Sequence, residues 1–223
     1  MQLNKDIDFS LSEMQCLSMN EKNYLLICEK ELLKIASNST TKPKMLVHVC
    51  CGPCSVFPLK FLSNFFDITV YFYNPNIFPN NELEKRYQTL CQYIDLLKKE
   101  NININVVFDT IDYKEYMNDL RPFKDEKEGL NRCKLCYKKR LEQSFIYACK
   151  NNFDYLTTVM TSSRQKSSNA INKIAEELQD KYPSVKYLFS DFKKHGWAEE
   201  GYRKAKEDYN LYLQDYCGCE YSI

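Results

Sequence analysis

The chain has 223 residues, 44% hydrophobic and 27% charged, and its 31 Lys+Arg against 30 Asp+Glu leave it nearly neutral. That composition excludes a disordered or fibrous chain, and the charge balance offers no global basic field for nucleic acid. A chain of this length buries a full core, so its 11 Cys are not needed as staples, and 5 Gly and 7 Pro are too few for a loop-rich disulfide scaffold.

The first residues show no basic segment followed by an apolar one, so no secretory signal is expected. No apolar run reaches the ~18 residues of a membrane span. The expected location is the cytoplasm, where thiols stay reduced, and the cysteine count then points to metal binding or redox chemistry. In chain order, residues 1–44 read as an extension, with an amphipathic helix over 20–36 and a polar linker over 37–43. A strand is then expected over 45–49 with a helix over 55–64, a strand over 68–73 with a helix over 80–100, and a strand over 104–108 with a helix over 133–150. A strand over 155–159 precedes a helix over 168–178, and a strand over 185–189 precedes a helix over 198–209. Five strands alternating with helices predict an α/β fold, a Rossmann-like parallel sheet flanked by helices, with residues 45–223 as a single catalytic domain. Ligands of such sheets sit beyond the carboxyl ends of the strands.

Seven cysteines fall in three groups. Cys50, Cys51 and Cys54 follow the first strand, and Gly52-Pro53 breaks it, which frees neighbouring thiols from opposite faces of the sheet. Cys133 and Cys136 open a helix, share one face and sit where partial positive charge favours thiolate. Cys217 and Cys219 flank Gly218, a spacing too tight for a relaxed disulfide, so redox or metal chemistry is favoured over a structural bond. Cys16, Cys28, Cys91 and Cys149 are isolated and read as packing or surface residues. Four thiolates suffice for a zinc ion or a [4Fe–4S] cluster, so seven imply a second metal or a redox pair. Zinc has no redox chemistry and leaves the CxC pair unexplained, which favours the cluster.

The sequence resembles the QueH-type epoxyqueuosine reductases. The pieces that carry the resemblance are HVCCGPCS at 48–55, FYNPNIFP at 72–79, RCKLCYKKRLE at 132–142, FDYLTT at 153–158, LFSDFKK at 188–194 and LYLQDYCGCEYS at 211–222. The resemblance implies a fold similar to the adenine nucleotide alpha hydrolases. It implies cobalamin-independent reduction of epoxyqueuosine to queuosine at the tRNA anticodon wobble position, the last step of queuosine synthesis. It also implies a [4Fe–4S] cluster on Cys50, Cys51, Cys133 and Cys136, with a further iron to which Cys54 is a candidate ligand. Cys217 and Cys219 are then a redox pair or ligands of that iron. After the TT strand, Ser162-Ser163-Arg164-Gln165-Lys166 departs from the segment expected there, lacking its Pro and His.

Turning an epoxide into an alkene removes one oxygen as water and takes two electrons and two protons. Two thiols going to a disulfide provide two electrons, and an open iron position can act as a Lewis acid on the oxygen. Asp191, at a strand exit, and Asp215, before the CxC, are the candidate acids. His48 reads as a packed core histidine and His195 as a surface one. For tRNA, rather than DNA or a membrane, the expected contacts are Arg132, Lys138 and Arg140 in the basic 124–140 segment, Lys193 and Lys194, and the polar loop residues Asn74 and Asn76. Tyr73 or Trp197 can stack an extruded base. An electron donor is required and is not identified by the residues. Three rival readings are a tRNA-thiolation enzyme of similar fold, a zinc-stabilised RNA-binding module and a general thiol oxidoreductase. The first wants a glycine-rich nucleotide loop where CCGPCS stands. The third wants its CxxC after the first strand.

Overall fold

Met45, Leu46, Val47 and His48 are all fully buried, the mark of a strand covered on both faces at the centre of a parallel sheet. They form β1 (Lys44–His48). It is flanked by β2 (Asp67–Tyr73) and β4 (Tyr155–Thr158), with β3 (Asn105–Asp109) and β5 (Lys186–Tyr187) at the edges. The order is β3-β2-β1-β4-β5 and every pairing is parallel. The structure, a computed structural model, describes residues 22–38 and 41–222. The expectation for Cys16 and parts of those for the 20–36 helix and the 37–43 linker lie outside these residues.

The helices are α1 (Tyr24–Asn38), α2 (Gly52–Leu62), α3 (Asn80–Lys99), α4 (Tyr113–Asn118), α5 (Asn131–Lys150), α6 (Ser168–Lys181) and α7 (Trp197–Glu207). One layer packs α2 against α3 and α7, and the other packs α5 against α6. The expected α/β sandwich is thus present. α1 packs beside β4 and β5: Tyr24 stacks on Phe189, and Glu31 accepts from Tyr155 and pairs with Lys186. Among the described residues no helix is long and apolar enough to cross a membrane.

Three differences from the expected elements have local causes. α2 starts at Gly52, because Pro53 fits the first turn, where its missing N–H costs nothing. β5 stops at Tyr187 although β4 runs on to Thr158: the Leu188 N–H still donates to the Leu156 carbonyl, but side chains take over beyond, with Thr157 Oγ1 donating to the Leu188 carbonyl and Asn172 bonding both backbone groups of Ser190. α4 was not foreseen. Its signal is Asp112, whose carboxylate accepts from the N–H groups of Lys114 and Glu115 as an N-cap. α4 buries Tyr116 and Met117, which with Leu120 form a small core against Cys136.

The strand order reverses between β1 and β4, so the chains leaving these two strands diverge and open a crevice. α2 leaves β1 on one side of it, close to α3. A Cβ on Gly52 would stand 2.8 Å from Thr89 Cγ2 and 3.1 Å from the Thr89 carbonyl oxygen. Gly52→Ala is therefore expected to force α2 and α3 apart and cost about 1–3 kcal/mol, measured by urea unfolding. Adding Thr89→Ser, which removes only the methyl, restores part of the loss. Parental stability in Gly52→Ala would contradict the close approach.

Candidate active site

The crevice is lined first by the thiols that follow β1. Cys51 has extended backbone and caps α2, while Cys54 lies in its first turn, so the chain folds back and gathers three sulfurs. The Sγ atoms of Cys50, Cys51 and Cys54 all lie within 4.8 Å of one another, and all three residues are buried. This set can hold a metal. Hydrogen bonds from Cys51 and Cys54 hold the Cys50 thiol well below its ordinary pKa. Burial, then the bond to Cys50, pushes Cys51 up, and the bond to Cys50 pushes Cys54 up to about 12. Of the three, Cys50 is the one whose surroundings favour the thiolate. Cys54 thus joins Cys50 and Cys51, whereas Cys133 and Cys136 lie outside this compact group.

Cys133 and Cys136 lie in the first two turns of α5. The loop before them is gathered by Arg132, whose Nη1 donates to the carbonyls of Phe123, Lys124 and Glu126. The expected thiolate character is corrected at Cys133: burial raises its pKa and outweighs the N–H that Gly129 donates to its sulfur at 3.2 Å. Cys136 is buried under α4, with the Tyr116 hydroxyl 3.4 Å from its sulfur.

The third group arrives on the C-terminal arm, residues 208–222. Arg86 on α3 is 2% exposed and ion-paired with Glu82. Its Nη1 and Nη2 donate to the carbonyls of Cys217 and Tyr216 at 3.0 and 3.1 Å. The Tyr216 hydroxyl donates to the Phe78 carbonyl, and the Phe78 N–H to the Gly218 carbonyl. Gly218 has φ +107°, and a Cβ there would meet Arg86 Nη1 at 2.8 Å, so glycine is required twice over. Gln214 lies over the first group, its Nε2 2.9 Å from Cys51 Sγ. The two arm thiols end up in different places. Cys217 faces a cavity of about 170 Å³ together with Cys50 and Cys54. Cys219 packs against the small core with Cys136, where burial pushes its pKa up to about 12.

Two cations stand inside this sulfur-rich region. Arg140 is 1% exposed, and its Nη2 donates to Asn74 Oδ1 while Asn74 Nδ2 donates to the Val49 carbonyl. Burial works against the Arg140 charge, but Cys136 and Cys50 raise its pKa. Lys166 is 5% exposed and lines the cavity. His48 is a core residue: it bonds Thr158 Oγ1 and the Tyr73 carbonyl, and burial pushes its pKa down to about 3, so it is neutral.

Several expected contacts are corrected by burial. Arg132, Arg140 and Asn74 brace the interior and present no charged or amide group to a tRNA backbone. Asn76 is also buried, with its Oδ1 unpaired. Lys138 and Lys194 are exposed, Lys138 near Glu177, and Lys193 donates to the Lys166 carbonyl. Asp191 accepts from the Lys193 N–H in a turn, and Asp215 is exposed; neither lines the cavity. Tyr73 is buried and Trp197 is stacked on Phe57, so neither ring is free for a base. Sequence reasoning missed Arg86, Lys166, Tyr202 and Gln214. Lys166 follows the β4 exit and was open to the crevice argument, whereas Arg86 carries no sequence signal.

Arg86→Met removes both carbonyl bonds and the ion pair with Glu82, whose carboxylate keeps the Tyr212 hydroxyl, and breaking such a buried pair costs about 3–5 kcal/mol. The expected outcome is a loosened arm, cut by chymotrypsin after Tyr212 or Tyr216 at doses that leave the parent intact. An unchanged digestion pattern would show that Arg86 does not hold the arm.

The geometry can be set beside known proteins. The sequence profile described as epoxyqueuosine reductase QueH matches residues 45–223. A Streptococcus pyogenes serotype M1 protein of that name is 37% identical over 212 residues, 92% of this chain and 80% of its own length. One from Staphylococcus epidermidis is 35% identical over 210 residues, covering 90% and 86% of the two chains. One from Thermotoga maritima is 31% identical over 185 residues, covering 80% and 90%. With a profile match across the whole α/β body and relatives aligned over most of their length, the chain belongs to the epoxyqueuosine reductase QueH family.

Proposed function

We propose that this protein reduces epoxyqueuosine to queuosine at the wobble position of a tRNA anticodon, in the cytoplasm, without cobalamin. The observation that carries the reading is the meeting of Cys217 with Cys50 and Cys54 across one cavity. The catalytic unit in this reading is residues 45–223, with residues 1–44 as an extension. A [4Fe–4S] cluster suits the donor set: Cys50, Cys51 and Cys54 are three gathered sulfurs, and Cys133 and Cys136 supply further thiols. When bound it supplies electrons one at a time. An additional iron is the other use open to Cys54, Cys217 and Cys219.

The chain's own residues account for the remaining requirements. In this reading Cys219 leaves the small core to meet Cys217, and oxidising the two thiols to a disulfide releases two electrons and two protons. Those match the breaking of both epoxide C–O bonds, formation of the alkene and departure of the oxygen as water. A reductant from outside the chain then restores the dithiol. Arg86 fixes the backbone on which Cys217 stands. Of the expected contacts, the exposed Lys138 and Lys194 remain to meet tRNA phosphates, beside the exposed Lys124, Lys127 and Lys134 of the same basic segment, which makes binding weaken with salt.

The test is an anaerobic assay of the iron-reconstituted protein on epoxyqueuosine-containing tRNA with a chemical reductant, the nucleoside product read by mass. Loss of one oxygen is expected, and an intact cluster without deoxygenation would overturn the assignment. In the same preparations Cys54→Ser is expected to lower bound iron, whereas Cys28→Ser, in a buried packing position outside the three groups, leaves it unchanged. If two distinct iron environments disappear together in Cys217→Ser plus Cys219→Ser, the dithiol role is wrong and the arm is an iron ligand.

A further inference from the structure

A buried lysine is costly unless something meets its charge. Among the described residues Lys166 pairs with no carboxylate, and its ammonium makes no hydrogen bond. Its backbone, by contrast, is fixed. The Lys166 N–H donates to the Ser163 carbonyl, and its own carbonyl accepts from Lys193 Nζ at 2.7 Å. The turn that carries it is anchored to the thiol group itself, since Ser162 Oγ donates to the Cys54 carbonyl at 2.8 Å. The 162–166 segment, which lacks the expected Pro and His, therefore delivers Lys166 to the wall of the cavity that Cys217 also lines.

The cavity has a definite chemical bias. Among the described residues, its charged lining groups other than sulfur are all cations: Arg86, Arg164 and Lys166, with no Asp or Glu. Arg86 is already taken by Glu82 and two carbonyls, and Arg164 lies over the Tyr202 ring, 5.3 Å from its centre. Lys166 is the cation left for a ligand. Such a cavity selects a ligand that brings an oxygen acceptor and no positive group to the Lys166 end.

We propose that Lys166 is a catalytic residue whose ammonium donates a hydrogen bond to the epoxide oxygen in the cavity beside Cys217. This rests on the epoxide reading of the site. An epoxide oxygen is a modest acceptor in the ground state, and negative charge builds on it as the C–O bonds break. A donor carried on a fixed backbone at the cavity wall stabilises that charge with little reorganisation, and removing one such donor typically lowers kcat by roughly 10²–10³-fold. Lys166 moves no electrons in this scheme. The two electrons and two protons come from the dithiol, the oxygen leaves as water, and the lysine holds the oxygen while it leaves.

The alternative role is charge balance for the thiolates alone, and the two roles separate experimentally. Lys166→Met, Lys166→Gln and Lys166→Arg are prepared as reconstituted full-length protein, with iron content, melting temperature, kcat and KM on epoxyqueuosine tRNA measured for each. The expected result for Lys166→Met is kcat per bound iron down about 10²-fold, with iron content unchanged and KM within about threefold, since tRNA contacts lie elsewhere. Lys166→Arg, which keeps a cationic donor, recovers at least a tenth of the parental kcat, and Lys166→Gln does not. Should kcat per iron stay parental in Lys166→Met, or should lost iron account for all lost activity in all three variants, the proposal is overturned while the function stands. A parental protein that leaves epoxyqueuosine tRNA unchanged overturns the functional reading, and the role of Lys166 falls with it.

Discussion

Buried cations and buried thiols face each other in this protein, and the cations could not be buried without a compensating group beside them. Arg140 and Lys166 lie within reach of Cys50 and Cys217, and Arg86 holds the arm on which Cys217 stands. A guanidinium or ammonium removed from water needs a compensating charge, and a buried thiol ionises only where a cation or hydrogen-bond donor offsets its desolvation. The pairing solves both problems. It keeps Cys50 able to carry charge at the centre of an otherwise apolar fold, and it makes the site depend on residues from β1, β4, α3, α5 and the C-terminal arm at once.

The sheet order makes that convergence possible. β1 and β4 are neighbours whose following segments depart in different directions, so the space beyond their ends stays open. The thiol group fills one wall and the Val159–Lys166 turn the other. The arm closes the crevice through backbone hydrogen bonds from a buried side chain, and Gly218 is the one residue between the two arm thiols that leaves Arg86 room to make them. One thiol of the arm is sent to the cavity and the other to the small core against α4 and α5, so two chemically identical side chains acquire different surroundings.

Much of the fold was legible because its causes are local. β-branched and aromatic runs at β1 and β2, helical spacing in α3 and α5, and the proline at the start of α2 are short-range properties. The Asp112 cap shows that even α4, which was missed, had a local signal. β5 was overestimated because the side chains of Thr157 and Asn172, remote in sequence, take the backbone groups of Leu188 and Ser190 that a longer strand would have paired with its neighbour. Within the basic 124–140 segment, Arg132 and Arg140 were not separable in sequence from their exposed neighbours. Helix periodicity says which residues share a face, but not which face is covered, and Arg132 and Arg140 proved to be on the covered one.

By itself the amino-acid sequence determined the alternation of strands and helices and the placing of three thiol motifs at a strand exit, a helix start and a chain end. Those follow from backbone preferences and hydrophobic period. Only the tertiary structure decided that Cys54 joins Cys50 and Cys51, that Cys217 and Cys219 part company, and that Lys166 rather than Asp191 or Asp215 lines the cavity. The physical reason is that charge and reactivity depend on burial and on neighbours remote in sequence. For the opening count of cysteines, this means that the motif spacing singled out seven thiols, and the packing assigned each its surroundings.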